Sequence, residues 1–178
     1  MLESEIWGVA ETGDGCMIFI KPLLSEYSVP IFIGQLEAQA ILIGFGGISI
    51  SRPLTVDLLR NLLKETDLTV LRVEINDLRD NTFFARLVIK RSSGKELLLD
   101  SRPSDALALA VRCKCPILIA EKVVEEAGIL AEDLALGTDK ASKKSRLQKE
   151  LDEAVEAENY EKAAEIRDMI KSLENHKP

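Results

Sequence analysis

Three strand-like segments in the middle of the chain are separated only by short turns, and this series constrains the fold more than any other feature. "LTVLRVEI" (68–75) is followed by the turn-forming residues "NDLRDN" (76–81), by "TFFARLVIK" (82–90), and, after Ser-Ser-Gly, by "KELLLD" (95–100). The second segment alternates, with one apolar face formed by Phe83, Ala85, Leu87 and Ile89. Because connections this short join antiparallel neighbours, the series predicts an antiparallel meander.

Further strands and helices are predicted on both sides of the meander. Strands are predicted at 6–10, 16–20, 29–33 and 115–120, and helices from Gly34 to Gly46–Gly47, over 55–65, from about Ser104 and over 121–128. Leu36, Ala40 and Ile43 form the predicted buried face of the first helix. The second is predicted to bury Leu58, Leu59, Leu62 and Leu63. Because strands and helices do not alternate strictly, the fold class predicted is α+β, with a mixed, largely antiparallel sheet and packed helices.

The composition changes after about Gly137. Residues 138–146 are polar and basic without an apolar period, which predicts a linker. Residues 147–178 predict a helical hairpin and tail, with Asn159 as cap of the second helix and with apolar stripes of Leu147, Leu151, Ala154 and Val155, and of Ala163, Ile166, Ile170 and Leu173. Two short helices bury little area alone, so the hairpin is expected to dimerise, to dock on the domain of residues 1–137, or to bind a partner.

The charge and the histidine content exclude several kinds of chemistry. The net charge is -7, so any nucleic-acid binding must depend on local arginines or on bridging cations. His176 is the only histidine, which excludes a two-histidine ribonuclease and a Ser-His-Asp triad with an ordered base.

The cysteines and the hydropathy pattern suggest a location. Three cysteines exclude a disulfide framework in which every thiol is paired, and the spacing of Cys113 and Cys115 differs from that of zinc sites. We therefore expect reduced thiols, no zinc and a cytoplasmic protein. With no apolar stretch long enough for a membrane span and no signal peptide, we expect no membrane partner.

The segment "DSRPSDALALA" (100–110) contains two acids and an arginine at the start of a predicted helix. Without histidine, a phosphodiester is hydrolysed most simply with Mg²⁺ or Mn²⁺ held by carboxylates. The candidate catalytic residues are Asp77, Asp100, Arg102 and Asp105, the candidate metal ligands are Asp77, Asp80, Asp100 and Asp105, and the candidate substrate-binding residues are Arg52 and Arg79. Structural roles are the alternative: Asp105 at a helix N-terminus, Asp77 and Asp80 in a turn, and Arg102 paired with Asp100.

Four blocks resemble, in order, those of the bacterial and plant bifunctional nuclease family. They are "PIFIGQLEAQAI" (30–41), "RPLTVDLLRNLL" (52–63), "INDLRDNTFFARLVI" (75–89) and "DSRPSDALALAVRCKCPILIAEKV" (100–123). The resemblance covers roughly residues 5–130. It implies an α+β domain, commonly a homodimer, with DNase and RNase activity. Glu37 and Asp57, which lie within these blocks, complete the set of candidate metal ligands.

The tail resembles a second family. "LDEAVEAENYEKAAEIRDMIKSLE" (151–174) is similar to the UVR motif of excision-repair nuclease subunits B and C. That resemblance implies a helical hairpin that contacts another protein, through about residues 147–174. Two hypotheses follow: a metal-dependent nuclease acting on DNA and RNA, and a non-catalytic dimeric scaffold or ligand-sensing adaptor that recruits a repair or protease-regulating partner.

Overall fold

The computed structural model describes residues 1–12 and 15–132 and, beyond these, eight residues of the C-terminal part. The chain divides into two compact units, Met1–Leu130 and Ala131–Pro178. The predicted boundary after residue 137 and the predicted linker lie outside the described residues.

The first unit contains eight strands and four helices within the described ranges. The strands are β1 (Leu2–Thr12), β2 (Gly15–Pro22), β3 (Tyr27–Ile33), β4 (Thr69–Arg79), β5 (Thr82–Lys90), β6 (Glu96–Ser101), β7 (Ile117–Ile119) and β8 (Ile129–Leu130). The helices are α1 (Gln35–Phe45), α2 (Thr55–Glu65), α3 (Pro103–Cys113) and α4 (Glu121–Ala127). The α+β class is therefore confirmed.

The strands form one mixed sheet in the order β6-β5-β4-β7-β1-β2-β3-β8. The predicted meander is confirmed, because β4, β5 and β6 pair as antiparallel neighbours. A second antiparallel series contains β1, β2 and β3. The short strand β7 joins the two series, because it pairs in parallel with β4 and antiparallel with β1. At the edge, β3 pairs with β8, and the sequence pattern does not predict β8.

Helix α3 is the central helix of the core and packs against β4 and β5, with α1 and α2 beside it. As predicted, its Ala106, Leu107 and Ala110 are buried. The alanines allow a close approach to the sheet, where Ala85, Leu87 and Ile89 of β5 are buried on the predicted face.

The predicted buried faces of α1 and α2 are wrong. In α1 the buried residues are Ala38 and Ile41, whereas Leu36 is 78% exposed. Of the four α2 leucines only Leu63 is buried, and Leu58 is 64% exposed. Both helices leave several large apolar side chains exposed. Periodicity identifies an apolar stripe but not the surface that covers it.

The turn predicted over residues 76–81 is shorter than expected. Strand β4 continues to Arg79, and Asp80 and Asn81 alone form the turn, with φ of 47° and 58°. The register with β5 shifts between Ile75 and Asp77, which indicates a bulge. A bulge adds one residue and interrupts the alternation by which strands are recognised in a sequence.

Only part of the predicted C-terminal hairpin lies among the described residues. Leu147, Leu151 and Ala154 are helical, and the two leucines pack with a cluster of Ala154 and Ile166. The Asn159 side-chain oxygen accepts a hydrogen bond of 3.2 Å from the backbone N–H of Lys162, as expected of a cap. No helix in the described part of the chain is both long enough and apolar enough to span a membrane.

Candidate functional site

A cavity of about 970 Å³ is bordered by α1, α2, α3, β6 and the loop before α2. Its walls are apolar, with Leu36, Ile43, Ile50, Leu59 and Leu99 among the lining residues. Five candidate site residues also border this cavity, which we call the main cavity: Glu37, Arg52, Asp100, Arg102 and Asp105. An apolar cavity with a few polar groups at its border is typical of a ligand site.

Arg102 projects from the start of α3 and binds two carboxylates. It precedes Pro103, whose ring disfavours helical backbone at the preceding residue, and it has the extended conformation expected (φ −69°, ψ 148°). Its Nε and Nη2 atoms donate to Asp105 over 2.7 and 3.1 Å, and its Nη1 atom donates to Glu37 Oε1 over 3.1 Å. The carboxylate of Asp105, and then that of Glu37, raises the pKa of Arg102. The pairing with Asp100 considered from the sequence does not form.

Arg52 and Asp100 complete the polar border of the main cavity. Neither side chain makes a hydrogen bond or ion pair with any residue that the structure describes. Asp100 lies across from Arg86 of β5, and the alternation of side chains along β6 places it on the opposite face from Leu99. Asp100 therefore lies at the rim of the main cavity, whereas Glu37, Arg102 and Asp105 form a connected group.

Asp57 belongs to a buried ion pair with Arg112, a residue that the sequence reasoning missed. Its Oδ1 atom accepts a 2.7 Å hydrogen bond from Arg112 Nε, and its Oδ2 atom accepts one of 3.0 Å from the Leu54 amide. Burial raises the pKa of Asp57, but these hydrogen bonds outweigh it and hold that pKa below its usual value. Asp57 thus has a structural partner where a metal ligand was predicted.

Arg112 connects all three helices around the main cavity. Besides Asp57 of α2, its Nη1 atom donates to the carbonyl oxygens of Ala40 in α1, at 2.8 Å, and Ala108 in α3, at 2.9 Å. Its side chain is only 4% exposed. The one sequence signal for this role is a lone arginine within the apolar run of α3.

Asp77 and Arg79 lie in β4 and do not border the main cavity. The Asp77 carboxylate accepts hydrogen bonds from Lys122 Nζ at 2.5 Å and from Arg79 Nε at 2.6 Å. The hydrogen bond from Lys122 is the largest of the influences that lower the pKa of Asp77. Arg79 also lies over the ring of Phe84, 5.3 Å from its centroid. Asp80 is exposed at the turn that follows.

The structure does not bring the predicted metal ligands together. Within residues 1–12 and 15–132 and the described residues of the tail, no group of three or more acidic, histidine or cysteine side chains is placed to hold a metal ion. Four of the six acids are bound to cations instead: Arg102 binds Glu37 and Asp105, Arg112 binds Asp57, and Arg79 and Lys122 bind Asp77. The other two lie apart, Asp80 at an exposed turn and Asp100 at the border of the main cavity.

A second buried acid was missed by the sequence reasoning. Glu74 is 3% exposed in β4, and its two oxygens accept hydrogen bonds from Arg72 at 2.7 Å and Arg86 at 2.5 Å. Burial raises the pKa of Glu74, but the two arginines lower it further, so the net shift is downward. The one sequence signal was the polar character of β4 near its end.

Comparison with known proteins confirms both resemblances. Residues 20–132 match the bifunctional nuclease domain, and residues 141–175 match the UvrB/uvrC motif. An uncharacterised protein of Mycobacterium tuberculosis strain H37Rv is 36% identical over 117 residues, which are 66% of this chain and 69% of that protein.

Plant relatives are more distant. Bifunctional nuclease 1 of Arabidopsis thaliana is 24% identical over 165 residues, 80% of this chain and 51% of that protein. Bifunctional nuclease 1 of Oryza sativa subsp. indica is 25% identical over 107 residues, 59% of this chain and 32% of that protein. The domain match covers more than half of the sequence and every described strand and helix from β3 to β8, and the chain therefore belongs to the bifunctional nuclease domain family.

Proposed function

We propose that this protein is a nuclease that hydrolyses phosphodiester bonds of DNA and RNA at the main cavity. The observation that carries the proposal is the group of Glu37, Arg102 and Asp105 at the border of that cavity, in a domain of the bifunctional nuclease family. Asp77, Arg79, Asp80 and Asp57 lie elsewhere, so we narrow the proposed site to the residues that border the cavity.

The roles follow from the chemistry of these side chains. Arg102 and the unpaired Arg52 supply the positive charge that binds non-bridging phosphate oxygens, which a guanidinium can contact in pairs. The carboxylates of Asp105 and Glu37 are the groups within this site that can orient or deprotonate a water molecule, because the domain contains no histidine. Asp100, at the rim, is the further candidate for this role.

We keep metal dependence in the proposal, but only with Glu37 and Asp105 as the protein ligands. The arrangement as described does not fit a metal ion, because Arg102 lies between the two carboxylates that would ligate it. A metal ion would require Arg102 to release the two carboxylates; Glu37 and Asp105 would then hold Mg²⁺ or Mn²⁺, which would neutralise charge on the phosphate. Retention of full activity after treatment with EDTA would remove this part of the proposal and leave the rest.

The nuclease proposal is tested with labelled single-stranded DNA and RNA in the presence of Mg²⁺ or Mn²⁺. Arg102→Ala and Asp105→Asn are expected to lower the cleavage rate at least about a hundredfold, the effect typical of losing an acid–base or electrostatic group. Asp67→Asn is the matched control, since it makes the same chemical change at an exposed turn outside both the main cavity and the candidate site. Equal cleavage by all four proteins, or by none, would contradict the proposal.

We propose a separate role for the tail, supported by the UvrB/uvrC match at residues 141–175. The segment 147–174 binds another protein through its apolar stripes, either a partner with a similar hairpin or a second copy of this chain. A tagged full-length protein should recover this partner, and a variant lacking residues 147–174 should not. Equal recovery by both proteins would contradict this role.

A homodimer and a cytoplasmic location complete the proposal. The exposed apolar residues of α2 outside the main cavity, Leu58 and Leu62, support self-association of the domain. The three cysteines, which are free thiols, support a reducing compartment. The alternative function, a non-catalytic scaffold or adaptor, is supported by the net charge of -7 and by the pairing of Arg72, Arg79, Arg86 and Arg102 with acids. It would be preferred if pure protein bound nucleic acid without cleaving it or did not bind it.

A further inference from the structure

A second cavity, of about 390 Å³, lies beside the main cavity and shares three lining residues with it: Glu37, Arg102 and Ser104. Its other walls include Phe32 and Phe83, and the turn residues Asn81 and Thr82 lie at its border. We call it the aromatic cavity. Arg102 and Ser104 lie at the N-terminus of α3 and Glu37 lies in the first turn of α1, so the two cavities meet where these two helices begin.

The N-terminus of α3 has unused hydrogen-bond donors at this junction. The helix has no side-chain cap, Pro103 has no N–H, and the first backbone bond runs from Ala106 to the carbonyl oxygen of Arg102. The N–H groups of Ser104 and Asp105 consequently have no acceptor among the residues that the structure describes. An eleven-residue helix with free N–H groups attracts anions, especially phosphate.

Ser104 gives an independent indication of a ligand. This serine is only 6% exposed and borders both cavities, yet its hydroxyl makes no hydrogen bond within the described part of the chain. Its oxygen is not among the fully buried polar atoms without a partner, so the hydroxyl is accessible from the cavities and free to bind a ligand there. A ligand with acceptor oxygens at the junction would satisfy it together with the two N–H groups.

The aromatic cavity suits a flat ring. Phe32 is 56% exposed, and its ring packs closely against Gly15, where a Cβ atom, if the residue had one, would lie 2.7 Å from Phe32 Cζ. Glycine therefore allows the ring to lie against the strand and keep one side open. Phe83 is half-buried, and Asn81 and Thr82 add hydrogen-bonding groups at the border. Unpaired bases stack on such exposed aromatic side chains.

We propose that the two cavities form one nucleotide-binding groove. A phosphate group binds the Ser104 hydroxyl and the N–H groups of Ser104 and Asp105 at the junction, and an unpaired base lies against Phe32 and Phe83. This inference rests on the proposed function, because the inference names the substrate class of that function, which is single-stranded DNA or RNA. A base held in a duplex reaches the aromatic cavity only after it leaves the stack.

Binding is measured by fluorescence anisotropy with a labelled oligothymidylate in EDTA. Ser104→Ala is expected to weaken binding about tenfold, the loss of one hydrogen bond to a charged group. Phe32→Ala is expected to weaken it at least about fivefold, from the loss of one stacked base. The controls are Ser93→Ala, at an exposed turn, and Phe45→Ala, which removes a phenylalanine of similar exposure outside both cavities. Variants at Ser104 and Phe32 that bind like their controls would overturn the inference.

A second measurement uses the unaltered full-length chain and does not depend on the folding of variants. In amide NMR titrations, inorganic phosphate and thymidine 5′-monophosphate should both shift Ser104 and Asp105, whereas only the nucleotide should shift Phe32 and Phe83. If both probes shift only Ser104 and Asp105, the base site is overturned. If neither probe shifts these two residues, the phosphate site is overturned. Cleavage is assayed separately from binding. Binding at these residues without cleavage would sustain this inference and refute the proposed nuclease activity. Cleavage without binding at these residues would refute this inference and sustain the nuclease activity.

Discussion

Replacing Arg112 by alanine should destabilise the first unit by about 3 kcal/mol, at the lower end of the cost of removing one partner from a buried ion pair. The side chain is 4% exposed and makes hydrogen bonds to Asp57 and to two backbone carbonyl groups. The lower end applies because Asp57 is 17% exposed and retains the hydrogen bond from the Leu54 amide. The midpoint of thermal unfolding should fall by about 6–12 °C.

Urea denaturation followed by circular dichroism measures this change, and Arg91→Ala is the matched control because Arg91 is exposed in a turn. The Arg112→Ala/Asp57→Ala double variant should lose less free energy of unfolding than the sum of the single variants, by at least about 1 kcal/mol. Equal stability of Arg112→Ala and Arg91→Ala, or full additivity in the double variant, would refute the assignment of Arg112 as the connection between the three helices.

The same ion pair predicts how stability depends on pH. The pKa of Asp57 is lowered in the folded protein, so its contribution is complete above the unfolded-state value of about 4 and is lost as pH falls through the lower folded-state pKa. The difference in unfolding free energy between the wild type and Arg112→Ala should therefore be constant from about pH 5 to 8 and shrink below about pH 4. A constant difference down to about pH 2.5 would contradict the pairing.

Three further outcomes are expected. Glu74→Ala should lower the unfolding free energy by about 1–2 kcal/mol in urea denaturation, because it removes charged hydrogen bonds from Arg72 and Arg86, which stay partly hydrated; an effect below about 0.5 kcal/mol would contradict this. Gly44→Ala should also destabilise, by about 1–3 kcal/mol despite the better helix propensity of alanine, because the new Cβ would lie 2.6 Å from Arg112 Nη1; a more stable variant would refute the close approach. Cys115 should react slowly with a thiol reagent at pH 8, because burial raises its pKa to about 11; a rate equal to that of free cysteine would exclude this environment.

Local patterns predicted the sheet better than they predicted the site. The meander follows from short turns and alternation, both of which are properties of neighbouring residues. The helix start predicted near Ser104 was likewise visible and lies one residue from the observed start at Pro103, where Arg102 and Asp105 border the main cavity. By contrast, the pairing of Arg102 with Glu37 joins residues 65 positions apart, and that of Arg112 with Asp57 joins residues 55 apart. Alternation and helical period carry no information about such pairs.

The apolar stripes of α1 and α2 failed as predictions for a different reason. Leu36 and Leu59 are apolar at helical spacing, but they line the main cavity and are not part of the core. An apolar cavity wall and a core face have the same composition and the same period. The distinction depends on what the opposite elements leave uncovered, which is a property of the assembled domain.

The position of β7 has a consequence for synthesis of the domain on the ribosome. The two antiparallel series, β1–β3 and β4–β6, are complete once residue 101 has been made, but only Ile117–Ile119 connect them. A nascent chain that ends before residue 117 therefore exposes the unpaired edges of β1 and β4, which are open to pairing with other chains. The two antiparallel series are therefore joined late, by a strand of three residues whose partner residues were synthesised more than 40 residues earlier. Premature termination in α3 should thus yield aggregating fragments, although most of the sheet is already encoded.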